Sequence, residues 1–285
     1  MAAEDISPAD ASSAARRCVF CRRAGKLTNE HVIPWWLESG EHSNKAFVIR
    51  ERGGPDYEPW RDSRRGRPRD LQAKAPCAEC NNTWMNDMDN ALAVLGPQLV
   101  KGKPVKLTKA TKTALAAWSV KFALMLQLVY PRDSRFVIPE ADYPRFYADR
   151  LPSDLMRLWT GYMEPPGKYG GPALALHDHR HDEMFFDAQM LTALGLDSSL
   201  ASKGYLVTFR FGHCVIGLLR VGRGELLPLQ CLAWPRQWVQ IWPAIGTNQW
   251  PPADRLATRR LAPIAVGIRP SRALQIGPGS RAQLS

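Results

Sequence analysis

The chain has 285 residues, 45% of them hydrophobic, and a formal net charge of +11. That apolar share supports a packed core and excludes a wholly disordered chain, while no run approaches the roughly 18 apolar residues of a membrane span. The excess charge is uneven: residues 91–130 hold six Lys and no acid, and residues 250–285 hold six Arg against Asp254 alone. Clustered basic charge is the footprint of a polyanion partner.

Residues 1–15 (MAAEDISPADASSAA) are small and acidic with no apolar stretch ahead of a cleavage site, so they read as a leader of low order and not a secretory signal. The expected compartment is the cytoplasm, where thiols stay reduced and disulfides do not explain six cysteines. Residues 16–96 hold four of those cysteines and a Gly/Pro/Arg-rich loop, RGGPDYEPWRDSRRGRPR, so this first unit has a small core that needs a staple. Near its end NNTWMNDMDNALAVL predicts a helix over residues 81–95. Trp84, Met88, Ala91 and Leu95 recur at helical spacing, and Gly96-Pro97 is expected to stop it.

Residues 97–131 read as a basic loop and a connecting helix over 108–130. Leu115, Trp118, Phe122, Met125 and Val129 line its apolar face, with Lys109, Lys112 and Lys121 off that face. From 132 to 250 a short helix (140–150) precedes β-like runs at 158–163, 173–177, 205–211, 214–221 and 239–243. Turn signals such as PPGKYGG and FGH separate them and predict an antiparallel sheet. Residues 251–285 read as a basic tail of low order. The expected class is α+β.

The strongest chemical signal is Cys18-Val-Phe-Cys21 paired with Cys77-Ala-Glu-Cys80. Each CxxC offers two thiolates to one ion, and two of them complete a tetrahedral four-cysteine site for structural Zn2+. The interval between the knuckles far exceeds a compact zinc finger, so the ion would close a large insertion. Within it lies Thr28-Asn29-Glu30-His31-Val32-Ile33-Pro34-Trp35-Trp36, and directly after the second knuckle comes Asn81-Asn82-Thr83-Trp84-Met85. Trp35, Trp36, Trp84 and Met85 read as small-core packing.

CxxC, then EHVIP, then CxxC-Asn resembles the HNH endonuclease superfamily, whose fold is called ββα-metal; the resemblance covers residues 18–90. It implies an N-terminal ββα-metal domain, phosphodiester hydrolysis and a catalytic divalent metal, Mg2+ or another. It also implies that His31 is the general base, and imidazole suits proton abstraction near neutral pH. Glu30 and Asn81 are implied to hold the ion, with Asn82 an alternative to Asn81 and Asp89 a further ligand. The chain departs from the family in its Glu and in its middle Asn. No Asn lies between Asn44 and Asn81, which leaves Asp70 or Gln72 as substitutes.

The sequence therefore leads to an expected metal-dependent endonuclease acting on nucleic acid, DNA in the first place, with no membrane association. Arg61, Arg64, Arg65, Arg67 and Arg69, with Lys109 and Lys112, are the candidate phosphate contacts. The C-terminal unit is expected to set target choice or to bind a partner, a second copy or another protein. The alternative is a catalytically silent zinc-stapled scaffold that binds nucleic acid or protein. His177, His179 and His181 read as a polar loop, and Cys214 and Cys231 as buried hydrophobes. No P-loop, GxGxxG after a strand, GxSxG or HExxH is present, so ATPase, dehydrogenase, serine-hydrolase and zincin readings lack support.

Overall fold

Short antiparallel ribbons frame the cysteine-rich segment. The computed structural model describes residues 16–38, 47–51, 61–66, 70–129, 138–164, 177–179, 205–220, 232–233, 237–255 and 269–270. The described chain opens with β1 (Leu27–His31), the one-turn helix α1 (Trp35–Glu38), β2 (Phe47–Glu51), β3 (Arg61–Gly66) and β4 (Gln72–Cys77). β1 pairs antiparallel with β4, with Leu27 opposite Cys77 and His31 opposite Gln72, and β2 pairs with β3 inside the insertion.

Helix follows at once: α2 (Ala78–Cys80), a π-helical stretch (Asn81–Met85) and α3 (Asn86–Ala91) run on without a break. Gly96-Pro97 does not end this region, as the sequence reading expected. After a turn at 92–94 the pair falls inside α4 (Leu95–Val100). Both residues sit in the first turn of α4, where proline costs little, while the Gly96 N–H donates to the Leu92 carbonyl at 2.7 Å. Gly96 is needed there for another reason, since a Cβ would collide with the Trp36 ring.

β5 (Val105–Leu107) leads into the central helix α5 (Lys109–Gln127), capped by the Thr108 hydroxyl, which accepts from the Thr111 N–H at 3.2 Å. From Leu115 to Leu126 every side chain of α5 is buried, so the helix is wrapped on all sides instead of showing one polar face. Trp118 stacks on Phe122 (ring centroids 5.4 Å) and meets Phe211 at 5.7 Å, and Phe122 meets Phe209 at 4.8 Å. Such aromatic pairs add about 0.5–1.5 kcal/mol each beyond area burial. Lys112 and Lys121, expected off the apolar face, are buried here, which corrects that expectation.

After α6 (Asp142–Asp149) come β6 (Met156–Tyr162), β7 (His177–His179), β8 (Tyr205–Phe211), β9 (Cys214–Arg220), β10 (Leu232–Ala233), β11 (Trp238–Trp242), β12 (Asn248–Trp250) and β13 (Arg269–Pro270). Five form one antiparallel sheet in the order β11-β6-β9-β8-β7. Gly212 takes φ +54° in the β8–β9 turn, where a Cβ would strike the Val100 carbonyl, so the turn packs directly on α4. His177 and His179 lie on strand β7 and not in a loop, while His181 and Cys231 fall outside the described residues. β12 pairs with β5, and β13, within the expected low-order tail, pairs with β10. One hydrophobic cluster runs from Cys18 and Phe20 through α5 to Trp250. The fold is mixed helix and antiparallel sheet, and among the described residues no helix is long and apolar enough to cross a membrane.

Candidate functional site

The two CxxC turns converge as their spacing requires. The four Sγ atoms of Cys18, Cys21, Cys77 and Cys80 lie within 4.8 Å of one another. Cys18 and Cys80 are 3.8 Å apart, and Cys21 and Cys77 3.7 Å. A tetrahedral ion with metal–sulfur bonds of about 2.3 Å needs sulfur pairs about 3.8 Å apart, so the cluster could hold such an ion. Burial pushes the Cys18 thiol up, but backbone N–H groups of Cys21, Cys77 and Phe20 together outweigh it and bring it down to about 7. Burial raises Cys21 and Cys80. Arg22 turns the first knuckle with φ +62°, and its guanidinium reaches Glu140 at 2.7 Å. Arg23 bridges to Glu79 of the second knuckle.

Cys77 and Leu27 mark one end of the β1–β4 ribbon, and His31 and Gln72 mark the other. Alternation along the strands gives the ribbon two unlike faces. Asn29, His31, Gln72 and Lys74 are exposed, while Glu30 and Ala73, paired opposite one another, are buried. His31 Nε2 lies 2.8 Å from the Gln72 side-chain amide nitrogen. Gln72, one of two substitutes weighed for the missing Asn, therefore contacts the imidazole. Asp70 is exposed.

Glu30 enters a buried charge network. Lys121 Nζ lies 3.4 Å from Glu30 Oε1 and 2.7 Å from Asp89 Oδ2, and its side chain is 3% exposed. The Trp118 indole N–H donates to Asp89 Oδ1 at 2.9 Å, and Lys121 also donates to the Met85 carbonyl at 3.3 Å. Burial pushes the Glu30 carboxyl above its usual value, and Lys121 only partly draws it back. Two of the expected ion ligands, Glu30 and Asp89, are thus brought together, but around an ammonium.

Asn81 begins the π-helical stretch, a rare geometry frequently found at functional positions. Its amide donates to the Thr28 hydroxyl at 3.1 Å, which in turn donates to the Pro76 carbonyl at 3.1 Å. Asn82 is exposed. Glu30, Asn81 and Asp89 are each engaged within the protein, and this arrangement does not fit an open ligand set for a catalytic ion.

The expected phosphate contacts divide. Arg61, Arg64 and Arg65 lie on β3, opposite Glu51, Ile49 and Val48, while Arg67 and Arg69 fall outside the described residues. Lys109 is exposed. Lys112 is corrected: it is buried, and its ammonium donates to the Ile245 carbonyl and to Asn248 Oδ1, both at 2.5 Å. Trp36, Trp84 and Met85 are core residues as expected, but Trp35 is 55% exposed. A cavity of about 580 Å³ beside α6, lined by Arg145, Asp149, Asp154 and Trp242 among others, includes none of the residues singled out from sequence.

The sequence reading missed Lys121. Its signal was a cation set inside the long apolar run 114–126 of α5, a helix with no acid of its own. Comparison with family models, with curated proteins and with solved structures finds no match.

Proposed function

We propose that this chain is an HNH-type endonuclease that hydrolyses phosphodiester bonds of DNA, with His31 as general base. The observation that carries the reading is the exposed end of the β1–β4 ribbon, where His31 contacts the Gln72 amide. The cysteine cluster closes the opposite end of that ribbon, and a helix carrying Asn81 follows it. The ion at the cysteines is zinc, whose commonest structural sites include the four-thiolate tetrahedron.

In the proposed reaction, water attacks phosphorus and its proton passes to His31. The bond from phosphorus to the leaving 3′ oxygen breaks, and that oxygen takes a proton from solvent. The family resemblance implies 5′-phosphate and 3′-hydroxyl products. Lys74, two residues along β4 from Gln72 on the same exposed face, supplies positive charge toward the phosphate. Glu30 belongs to Lys121, so it is not assigned to an ion.

The test is nicking of supercoiled plasmid in the presence of magnesium, manganese or nickel. Wild type is expected to cut, and His31→Ala to bind without cutting. One observation favours the second reading, a silent binding scaffold: the ammonium of Lys121 occupies the space between Glu30 and Asp89. Binding by wild type without nicking under any of these ions would select that reading.

A further inference from the structure

Trp35 stands out among the tryptophans of the described core. It is 55% exposed, although its neighbours Val32, Ile33 and Trp36 are all buried. Those neighbours fix its mounting. The Trp36 ring packs on Trp118 at 5.3 Å and seats against Gly96 of α4, and the Leu37 N–H donates to the Pro34 carbonyl at 3.0 Å. The indole of Trp35 is therefore carried outward by a pinned turn of helix. It also follows His31 by four residues, so the two are at most about 14 Å apart along the chain.

A second feature follows the helix on which this mount packs. α4, which packs on α1, is capped by Lys101, and Lys103, Lys106 and Lys109 follow over the next eight positions. All four lysines are exposed, and none joins an ion pair among the described residues. Lys109 even opens α5, where the helix dipole disfavours a cation and favours an anion nearby. Trp36 seats on Gly96 in the first turn of α4, and α4 is only about 9 Å long, so the mount of the indole lies within about one length of that helix from Lys101 at the head of the lysine track.

An exposed, rigidly mounted aromatic ring together with unpaired cations is how proteins hold single-stranded nucleic acid. The cations follow the phosphates, and the ring stacks on a base face that a duplex keeps hidden. We propose that Trp35 is a stacking platform for an unpaired nucleobase and that Lys101, Lys103, Lys106 and Lys109 guide the phosphates of the same strand. This rests on the nucleic-acid reading above and deepens it: the substrate is DNA that is single-stranded or locally unpaired near the scissile bond.

The experiment is fluorescence anisotropy on the full chain carrying His31→Ala, which separates binding from cleavage. The probes are a labelled oligothymidylate and a duplex of equal length. Adding Trp35→Ala is expected to weaken single-strand binding roughly 5- to 150-fold while leaving duplex binding within about twofold. Trp35→Phe should retain most of the affinity, which separates lost stacking from misfolding. Lys103→Ala with Lys106→Ala should lower the single-strand salt slope by about 1.4. Equal effects of Trp35→Ala on both probes would overturn the proposal. So would a self-association lost in the same variant, which would place the indole between two copies. Failure to bind either probe would overturn this proposal and the nucleic-acid reading together. Single-strand binding that depends on Trp35, with no cleavage by wild type, would uphold the proposal and remove only the catalytic reading.

Discussion

His31 and Gln72 meet because β1 and β4 place them directly opposite, and a side-chain amide within hydrogen-bond reach fixes the plane of an imidazole. On the proposed reading, Gln72 is a positioning residue. Gln72→Ala should lower the cleavage rate by up to about 10²-fold with little change in DNA affinity, since misplacing a reacting group costs rate before binding. Rescue by Gln72→Asn at the same site would separate orientation from a fold defect. Glu30 belongs to the same scale. Its carboxyl lies above its usual value of 4.5, so the folded chain holds that proton at a pH where the unfolded chain has lost it. The associated stability is full below the usual value and is lost as pH rises through the folded one. Relative to Glu30→Gln, wild type should therefore gain stability as pH is lowered from neutrality toward the ordinary carboxylate range, which denaturant melts at several pH values would show.

At the scale of elements, Lys121 links α5 to β1 through Glu30 and to α3 through Asp89. Removing one member of a buried ion network strands the others without compensation, typically at a cost of about 3–5 kcal/mol. Lys121→Met should cost about that much in chemical denaturation. Adding Glu30→Gln and Asp89→Asn should recover part of it, as contacting residues are not additive. A Lys121→Met variant as stable as wild type would show that the network carries no net energy. The sequence made some elements legible and not others, for physical reasons. The strands at 205–211 and 214–220 were readable because alternation and the Gly212 turn are local signals. The burial of Lys121 was not, because it depends on acids from two distant segments. Gly96-Pro97 misled because a breaker and a first-turn residue look alike until the preceding turn is known.

Across the whole molecule, one core joins the cysteine turns to α5 and the sheet, so an ion at the cysteines should be coupled to the fold at large. Stripping metal with a chelator, or Cys80→Ser, should lower the melting temperature and broaden the transition, since a metal bound only by the folded state stabilises it. Restoration by added zinc would identify the ion. The cysteine site was legible because its chemistry lies in two short spacings. The exposed Trp35 was not, since adjacent tryptophans in a sequence carry no sign of which one faces out. The basic stretch at 91–130 was legible but not which of its lysines face out, and burial of Lys112 and Lys121 narrows the cations available to a partner to Lys101, Lys103, Lys106 and Lys109 along this stretch.

The central claim is that His31 removes the proton from the attacking water. It is tested most directly by single-turnover cleavage of supercoiled plasmid, with protein in excess, comparing wild type and His31→Ala at matched occupancy. Wild type is expected to cleave, and the variant to do so about 10²–10⁴-fold more slowly with DNA affinity preserved. Equal rates for the two proteins would contradict the claim.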